Sequence, residues 1–457
     1  MNSKQVIKLI EQQAGQITSK IIKDLIADHS DLHNKTLRLF KEYSGEVPIT
    51  TRQFTDTNKI NNKLANDYRG DIVDSKNGYI WGNPIKYSLP SDKYGENITA
   101  ELNSFLQRNS VFDLDTKTAR YAQICGYGAR LCYINKLGQE TLMNLNPWET
   151  IFIYDQILDE LQYAMIYYPL ETVGADGKVK IRTRVEWYDN ENVTYYIEGD
   201  DKEYALDADE EVNPQPHLFN RVPVVRFMNN DILKGDFEKV ASDIDAYDKT
   251  LSDIQNELEE FRLAYLGFYG GNAPTVETVT KARQTGAFHV PDGSDIKFIT
   301  KNLEGATNLI ENHKKTLNDN IYKFSKSIDM RDDGFANASS GEARKWKLVS
   351  MENDAIIKEV KFKKASLEQF RIIFSAFAKR KINIIPEDLE MKFTRNLPID
   401  LTYEADTQLK LKGLVSDETR LGLASFIPDV QAEIEKMQAE QEQSLNAYIG
   451  GNANTAQ

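Results

Sequence analysis

Apolar residues recur along this chain with periods that change from region to region, and the changes mark its elements. From residue 240, Val240, Ile244, Tyr247, Leu251, Ile254, Leu258, Phe261 and Tyr265 alternate spacings of four and three. That is a heptad stripe over about seven helical turns. The other faces are acidic, with Asp243, Asp245, Asp248, Asp253, Glu257, Glu259 and Glu260 against only Lys249 and Arg262. A second helix is predicted over 303–328, with Leu309 or Ile310, Leu317, Ile321, Phe324 and Ile328 on its apolar face. Between the two, Gly267, Gly270, Gly271, Pro274, Gly286, Pro291 and Gly293 break helicity, with strand-like runs at Ala287–Val290 and Ile296–Ile299. This interval reads as a compact insertion between two long helices. A third, longer helix is predicted from about 340 to 381, because no proline occurs between Pro291 and Pro386. Trp346, Val349, Ile356, Val360, Leu367, Phe370, Phe374 and Phe377 fall near one of its faces, and most of its charges are basic. The polar, small-residue stretch 329–341 has no packing stripe and reads as a loop, with Ser340 placed to cap the helix that follows.

The first half is different. Residues 1–45 carry helical spacing through Val6, Ile10, Ile17, Ile21, Ile22, Leu25, Leu37 and Phe40. Residues 46–125 mix turn signals with helical stretches, and Gly78-Tyr79-Ile80-Trp81-Gly82-Asn83-Pro84-Ile85 reads as an approach to a strand through a bend. Residues 126–230 are strand-rich, in Leu142–Tyr154, Tyr163–Tyr168, Val179–Trp187 and Val193–Ile197, with a hairpin turn expected at Asp176-Gly177. After Pro386, alternation at Leu389, Met391 and Phe393 predicts one more strand. A helical region over about 404–446 then precedes a tail, 448–457, whose composition predicts disorder.

Composition narrows the function. At 40% hydrophobic and 28% charged residues, the 457-residue chain is a folded protein of several structural regions. No stretch reaches the roughly 20 apolar residues of a membrane helix, and the N-terminal segment lacks the pattern of a signal peptide; assembly or action in the cytoplasm is the expectation. The net charge of −14 argues against a protein that grips DNA, since phosphate neutralisation supplies most non-specific affinity. It is compatible with one past which DNA slides. Cys125 and Cys132 match no redox or zinc spacing and read as buried reduced thiols. His29 and His33, four apart, have the spacing of a shared metal site but lack a protease glutamate between them, and are expected to face solvent. Gly126-Tyr127-Gly128 lacks the third glycine of a dinucleotide loop, and no Gly-Lys-Ser/Thr phosphate loop occurs. No catalytic constellation, metal site or cofactor is predicted.

Three segments together resemble the portal proteins of long-tailed phages of Gram-positive hosts: Asn61–Ile85, with its Ile-Val-Asp and Gly-Tyr-Ile-Trp-Gly-Asn-Pro-Ile patterns; Gly235–Phe261; and Lys412–Thr419 followed by Pro428-Asp429-Val430 and an acidic helix. The resemblance runs in order over most of the chain. It implies an α+β fold assembled as a ring of twelve subunits. Residues 1–235 and the strand near 387–398 would form a mixed α/β wing, and 236–266 and 303–328 two stem helices. A small α/β clip would span 267–302, a tunnel loop 329–341, a long kinked wing helix with its strand 342–399, and a helical crown 400–447.

The resemblance further implies a non-enzymatic channel for double-stranded DNA at one vertex of the virion capsid. An external terminase would supply ATP hydrolysis, a head-completion adaptor would follow it at the clip, and major capsid and scaffolding proteins would surround the ring. Stem packing is expected to use Val240, Ile244, Tyr247, Leu251, Ile254, Leu258, Phe261, Leu317, Ile321 and Phe324. The acids of the first stem helix are expected to meet Lys314, Lys315, Lys323 and Lys326 of a neighbour's second. Arg331, Asn337, Ser339, Ser340, Arg344 and Lys345 would flank the DNA. Two other readings stand beside this one. A coiled-coil scaffold or adaptor would explain the heptads but not the strand-rich half. A nuclease would need a carboxylate cluster for metal, whereas the acids here are spread along helices.

Overall fold

The computed structural model describes residues 3–12, 17–56, 59–155, 160–173, 179–262, 265–269, 275–285, 295–299, 304–329, 341–396, 401–424, 427, 430 and 433–441. They belong to two units, Met1–Arg395 and Asn396–Gln457. The first unit opens with helices α1 (Ser3–Gln12) and α2 (Ser19–Tyr43), then α3 (Tyr68–Trp81), strand β1 (Lys86–Ser88), α4 (Glu96–Arg108) and α5 (Val111–Cys125). Strands β2 (Tyr127–Ile134), β3 (Glu140–Leu145), β4 (Thr150–Tyr154), β5 (Leu161–Val173), β6 (Val179–Tyr188), β7 (Asn192–Glu198), β8 (Tyr204–Leu206), β9 (Gln215–Pro216) and β10 (Val224–Met228) follow. Next come α6 (Ala241–Arg262), β11 (Tyr265–Tyr269), α7 (Val276–Thr285), β12 (Asp295–Ile299), α8 (Glu304–Ser325), the 39-residue α9 (Gly341–Lys379) and β13 (Glu390–Lys392). The second unit holds α10 (Leu401–Leu411), α11 (Asp417–Gly422) and a helical stretch at 433–441. The fold is α+β, as the sequence predicts.

All the sheets are antiparallel. One has the order β10-β2-β3, a larger one β4-β5-β6-β7-β8 with β9 also on β7, and β1–β13 and β11–β12 are pairs. Ala129, Leu131, Leu145, Val222 and Val224 of the smaller sheet and its flank share a core with Ala164, Ile166, Tyr188 and Val193 of the larger one. The other side of the larger sheet, through Ile151, Met165, Val185 and Trp187, is covered by the apolar stripe of α1 and α2: Val6, Ile10, Ile21, Ile22 and Leu25. A third cluster joins Leu39 of α2, Ile72 and Val73 of α3, Ile124 of α5, and Val240, Ile244 and Ile321.

Several sequence expectations change. The segment Gly78–Trp81 is helix: α3 runs through it, and burial of Ile72, Val73, Tyr79, Ile80 and Trp81 overrides the weak local propensity of its glycines. The run Leu142–Tyr154 is two strands, parted at Pro147, which fixes φ and removes a ladder donor. Tyr265 begins β11 and does not extend α6; the turn expected at 176–177 and the run 287–290 lie outside the described residues. On α9 the buried face holds Leu348, Met351, Ala355, Phe362, Phe370 and Phe374, while Val349, Ile356 and Val360 are exposed. The two cysteines are free and buried, and burial pushes the Cys132 thiol up to about 12.

Two glycines set the path into α6. Gly126 ends α5 at φ +90°, and a Cβ on it would lie 2.2 Å from the Leu233 carbonyl oxygen. A Cβ on Gly235 would lie 2.2 Å from the Ile124 carbonyl oxygen. Only bare backbone lets the chain leaving β10 lie against the end of α5, and this contact delivers Asp236 to the interior.

His29 and His33 are not solvent-facing. His29 Nδ1 lies 2.9 Å from the Tyr167 hydroxyl, and His33 Nδ1 lies 2.7 Å from the Trp148 carbonyl oxygen. Burial first, and the neighbouring His33 second, lower the His29 pKa to about 4. The unfolded chain protonates this residue near its ordinary value of about 6.5. Between the two values the unfolded state binds the extra proton, so stability falls as pH drops through this window. We predict that His29→Gln flattens the pH dependence of the unfolding free energy, read from urea titrations, between about pH 6.5 and 4, by up to ~1.4 kcal/mol per pH unit at its steepest. Identical slopes in the two proteins would show that His29 titrates normally.

Candidate functional site

The helix pair α6–α8 and its surroundings gather most of the residues singled out by the sequence. Val240, Ile244 and Ile321 are fully buried in the third core cluster, and Tyr247 packs on its edge. Leu317 is buried, and Leu251 and Ile254 are half-buried. Leu258 and Phe324 are 52% and 53% exposed. The side chain of Phe261 lies outside the described residues, as do Arg331, Asn337, Ser339 and Ser340. Arg344 and Lys345 stand in the first turns of α9, where only the backbone is described. The heptad stripe therefore divides along its length: its proximal part is core, and Leu258 is open.

The polar side of α6 has its own partner, which hydrophobic periodicity did not reveal. Residues 60–66 run extended along the helix, in the opposite direction. Asp248 Oδ1 accepts the backbone N–H of Asn66 at 2.9 Å and its side-chain amide at 2.7 Å. Ser252 Oγ accepts the N–H of Leu64 at 2.9 Å, and Asn256 Oδ1 accepts the N–H of Asn62 at 2.7 Å. The match is geometric. Alternate residues of an extended chain are about 6.6 Å apart, and helix positions four apart rise about 6 Å. One side-chain acceptor per turn thus meets every second N–H of the strand. Asp248, Ser252 and Asn256 are all buried, and each bond satisfies a donor that would be expensive to leave unmade. The only sequence signal was three short polar residues spaced by four within an acidic helix.

Two of the acids of α6, Asp253 and Asp245, are neutralised within the chain. Arg52 reaches Asp253 at 2.7 Å, and the buried Arg69 binds Asp245 at 2.7 Å and Glu42 at 3.2 Å. The lysines expected to meet them are engaged elsewhere in two cases, Lys314 with Glu311 and Lys326 with Asp354. Tyr68 stands between the two helices. Its ring meets Tyr247 at 5.0 Å and Tyr322 at 5.9 Å, and its hydroxyl donates to Asn318 at 2.7 Å.

At the base of the pair lies a buried cluster of two lysines and two aspartates. Lys76 of α3 contacts Asp354 of α9 at 2.9 Å and donates to the Ser325 carbonyl, the last residue of α8, at 2.5 Å. Lys358 of α9 bonds Asp236 and lies 3.1 Å from Asp354. Asp236 lies 3.8 Å from Lys76 and also accepts from the Asn229 amide at 2.8 Å. Burial alone would raise the Asp354 pKa, but Lys358 and Lys76 hold its carboxyl far below the ordinary range, while burial pushes Lys76 down. The charges sum to zero, which is what makes them tolerable in the interior. One cluster thereby ties together α3, the approach to α6, the end of α8 and the early part of α9. Its members come from positions 76, 236, 354 and 358, too far apart for any local motif to expose.

Among the described residues no group of three or more His, Cys, Asp or Glu is placed to hold a metal, and no helix is long and apolar enough to cross a membrane. The site therefore offers an anchored helix pair with exposed apolar positions and a strand–helix–strand insertion, β11-α7-β12, between its members.

Residues 22–447 match the family described as "Phage portal protein, SPP1 Gp6-like". The chain is 22% identical to the "Portal protein" of Bacillus phage SPP1, over 97% of this chain and 87% of that protein. It is also 22% identical to the "Portal protein" of Clostridium phage phiCD119, over 89% of this chain and 91% of that one.

Breaking the buried cluster from one side leaves charge uncompensated, typically at a cost of about 3–5 kcal/mol. Lys358→Met is predicted to destabilise the folded chain by ~3 kcal/mol, read as a lower urea midpoint at neutral pH. Exposed Lys364→Met on the same helix is predicted to stay within about 0.5 kcal/mol.

Proposed function

The chain belongs to the SPP1 Gp6-like phage portal protein family, and from this premise we propose that it is a subunit of a twelve-membered ring at one capsid vertex, through which double-stranded DNA is packaged, retained and ejected. Portal proteins of this family are structural components of the virion and not enzymes, so terminase would bring the ATP-driven motor and this chain the dock, the channel and the valve. The observation that carries the reading is the helix pair α6–α8. It is rooted in a buried core and ionic cluster, and it leaves Leu258, Leu309 and Phe324 exposed for a neighbour.

In this reading α6 and α8, within 236–266 and 303–328, are the stem, and 267–302 is the clip that meets terminase and then the head-completion adaptor. Residues 1–235 with the strand near 387–398 are the wing, beside the major capsid and scaffolding proteins. Residues 342–399 carry the long helix into that strand, and 400–447 are the crown. Arg331, Asn337, Ser339 and Ser340 of the tunnel loop, with Arg344 and Lys345 beside it, face the DNA. Small and amide side chains there touch phosphates without holding them. The net charge of −14 per subunit discourages adhesion of the backbone to the ring as a whole. A coiled-coil scaffold is a poorer fit, because the proximal stripe is buried in the chain's own core and the sheets of the first unit have no role in it.

Leu258 is exposed, so Leu258→Asp spares the fold of the single chain. It is predicted to abolish rings in negative-stain micrographs while leaving the far-ultraviolet circular dichroism unchanged; normal rings would remove α6 from the subunit interface. Deleting Asn337–Ser339 is predicted to leave rings intact and to lower the yield of packaged DNA at least tenfold in infected cells. An unchanged yield would reject the valve role of this segment.

A further inference from the structure

Among the described residues the first unit carries an exposed apolar stripe on one helix and an open groove beside another, and the geometry of the buried cluster fixes which way each faces. On α9, Val349, Ile356, Ile357 and Val360 are between 42% and 61% exposed. Their spacing places them on one face, over about 17 Å of helix. Isolated exposed apolar residues are common, but a continuous stripe marks an interaction surface.

The groove lies between α2, α3 and α5. It has a volume of about 300 Å³ and is lined by Tyr43, Gly78, Trp81 and Phe112, with Asp74 and Arg120 among its polar walls. Phe112 is 45% exposed. The floor is Gly78, in the interior of α3. A glycine there costs about 1 kcal/mol relative to alanine. Nothing among the described residues requires it, because a Cβ at this position would meet none of their atoms within 4 Å. The space above Gly78 is open in the single chain.

Residues two apart on a helix point about 160° away from each other. Lys76 reaches from α3 to Asp354 of α9, so Gly78 faces away from α9. Asp354 and Lys358 face the cluster, so Ile356 and Val360 face away from α3. Stripe and groove therefore look in opposite directions across the α3–α9 pair. That is the requirement for a head-to-tail contact that repeats around a closed ring, where two different surfaces of the same chain must meet. Asp74 at the groove is paired with Arg120 at 3.6 Å, which leaves the exposed Asp113 beside Phe112 as the acid that can meet Lys363 and Lys364, exposed beyond the stripe.

We propose that the outer stripe of α9 in one copy of this chain seats in the α2–α3–α5 groove of the next, with Val360 and its neighbours above Gly78 and against Phe112. This rests on the reading of the chain as a ring subunit and adds a specific contact to it, separate from the stem.

Two substitutions test the contact without disturbing the isolated fold. Gly78→Leu fills open space and improves the helix propensity of α3, and Val360→Asp alters a side chain already exposed. Each is expected to reduce the ring fraction in size-exclusion chromatography at least tenfold, with the circular dichroism and melting curve of the single chain retained. In a Phe112→Cys/Val360→Cys chain, a short bismaleimide is expected to link subunits into a ladder on denaturing gels. Either single-cysteine chain is expected to give none, since Cys125 and Cys132 are buried. Wild-type rings in micrographs, with normal assembly of both variants and no ladder from the double-cysteine chain, would overturn this contact and leave the ring reading standing. Absence of rings from the wild-type protein would overturn both.

Discussion

The neutral cluster of Lys76, Asp236, Asp354 and Lys358 is the constraint on which the geometry of this molecule turns. Buried ion pairs add little net stability, because desolvation offsets most of the attraction. Their effect is on alternatives. Any arrangement that separates one lysine from the two aspartates leaves a charge unpaired in the interior. The cluster thus acts as a register device among α3, the approach to α6, the last turn of α8 and α9. Its partners are brought to it by apolar packing and by two glycines. Gly126 and Gly235 let the chain after β10 close on α5, and without that approach Asp236 would not reach Lys358.

From this base the helix pair is built by two unlike interactions. The inner stripe of Val240, Ile244 and Ile321 is ordinary core, continuous with α2, α3 and α5. The polar face is held by the extended segment, whose N–H groups are accepted in series, one per helical turn, by Asp248, Ser252 and Asn256. A heptad stripe in isolation suggests a coiled coil. Here one end of it belongs to the subunit's own core, and a side chain such as Leu258 remains for other contacts.

The strongly periodic parts of this fold were legible from sequence: the two helices with an insertion between them, the strand-rich middle, and the proline-free long helix. What escaped detection did so for physical reasons. The end of α3 contains glycine and β-preferring residues, and only the burial of Ile80 and Trp81 makes it helical. On α9 two apolar faces compete. The exposed one, with Val349, Ile356 and Val360, carries β-branched residues and so dominated the pattern, while the buried one includes Ala355 and a lysine. The histidines of α2 looked like surface residues because their partners, Tyr167 and the Trp148 carbonyl, lie more than a hundred positions away. The ionic cluster shares this property and leaves no period in the sequence, while the polar ladder shows only as three short polar residues four apart on α6.

The division of labour between charge and apolar surface follows from these placements. Arg52, Arg69, Lys76 and Lys358 are all committed to carboxylates of their own chain. Those pairs orient the helices before any second copy arrives. What remains on the outside of α6, α8 and α9 includes an aliphatic and aromatic set: Leu258, Leu309, Phe324, Ile356, Ile357 and Val360. Association through such surfaces draws on area removed from water, at about 25 cal/mol per Å², and is non-directional. Direction must therefore come from the rigid frame that presents them. In the proposed ring, that frame is the subunit's internal polar network, so that specificity of assembly is set inside each chain and its strength between chains.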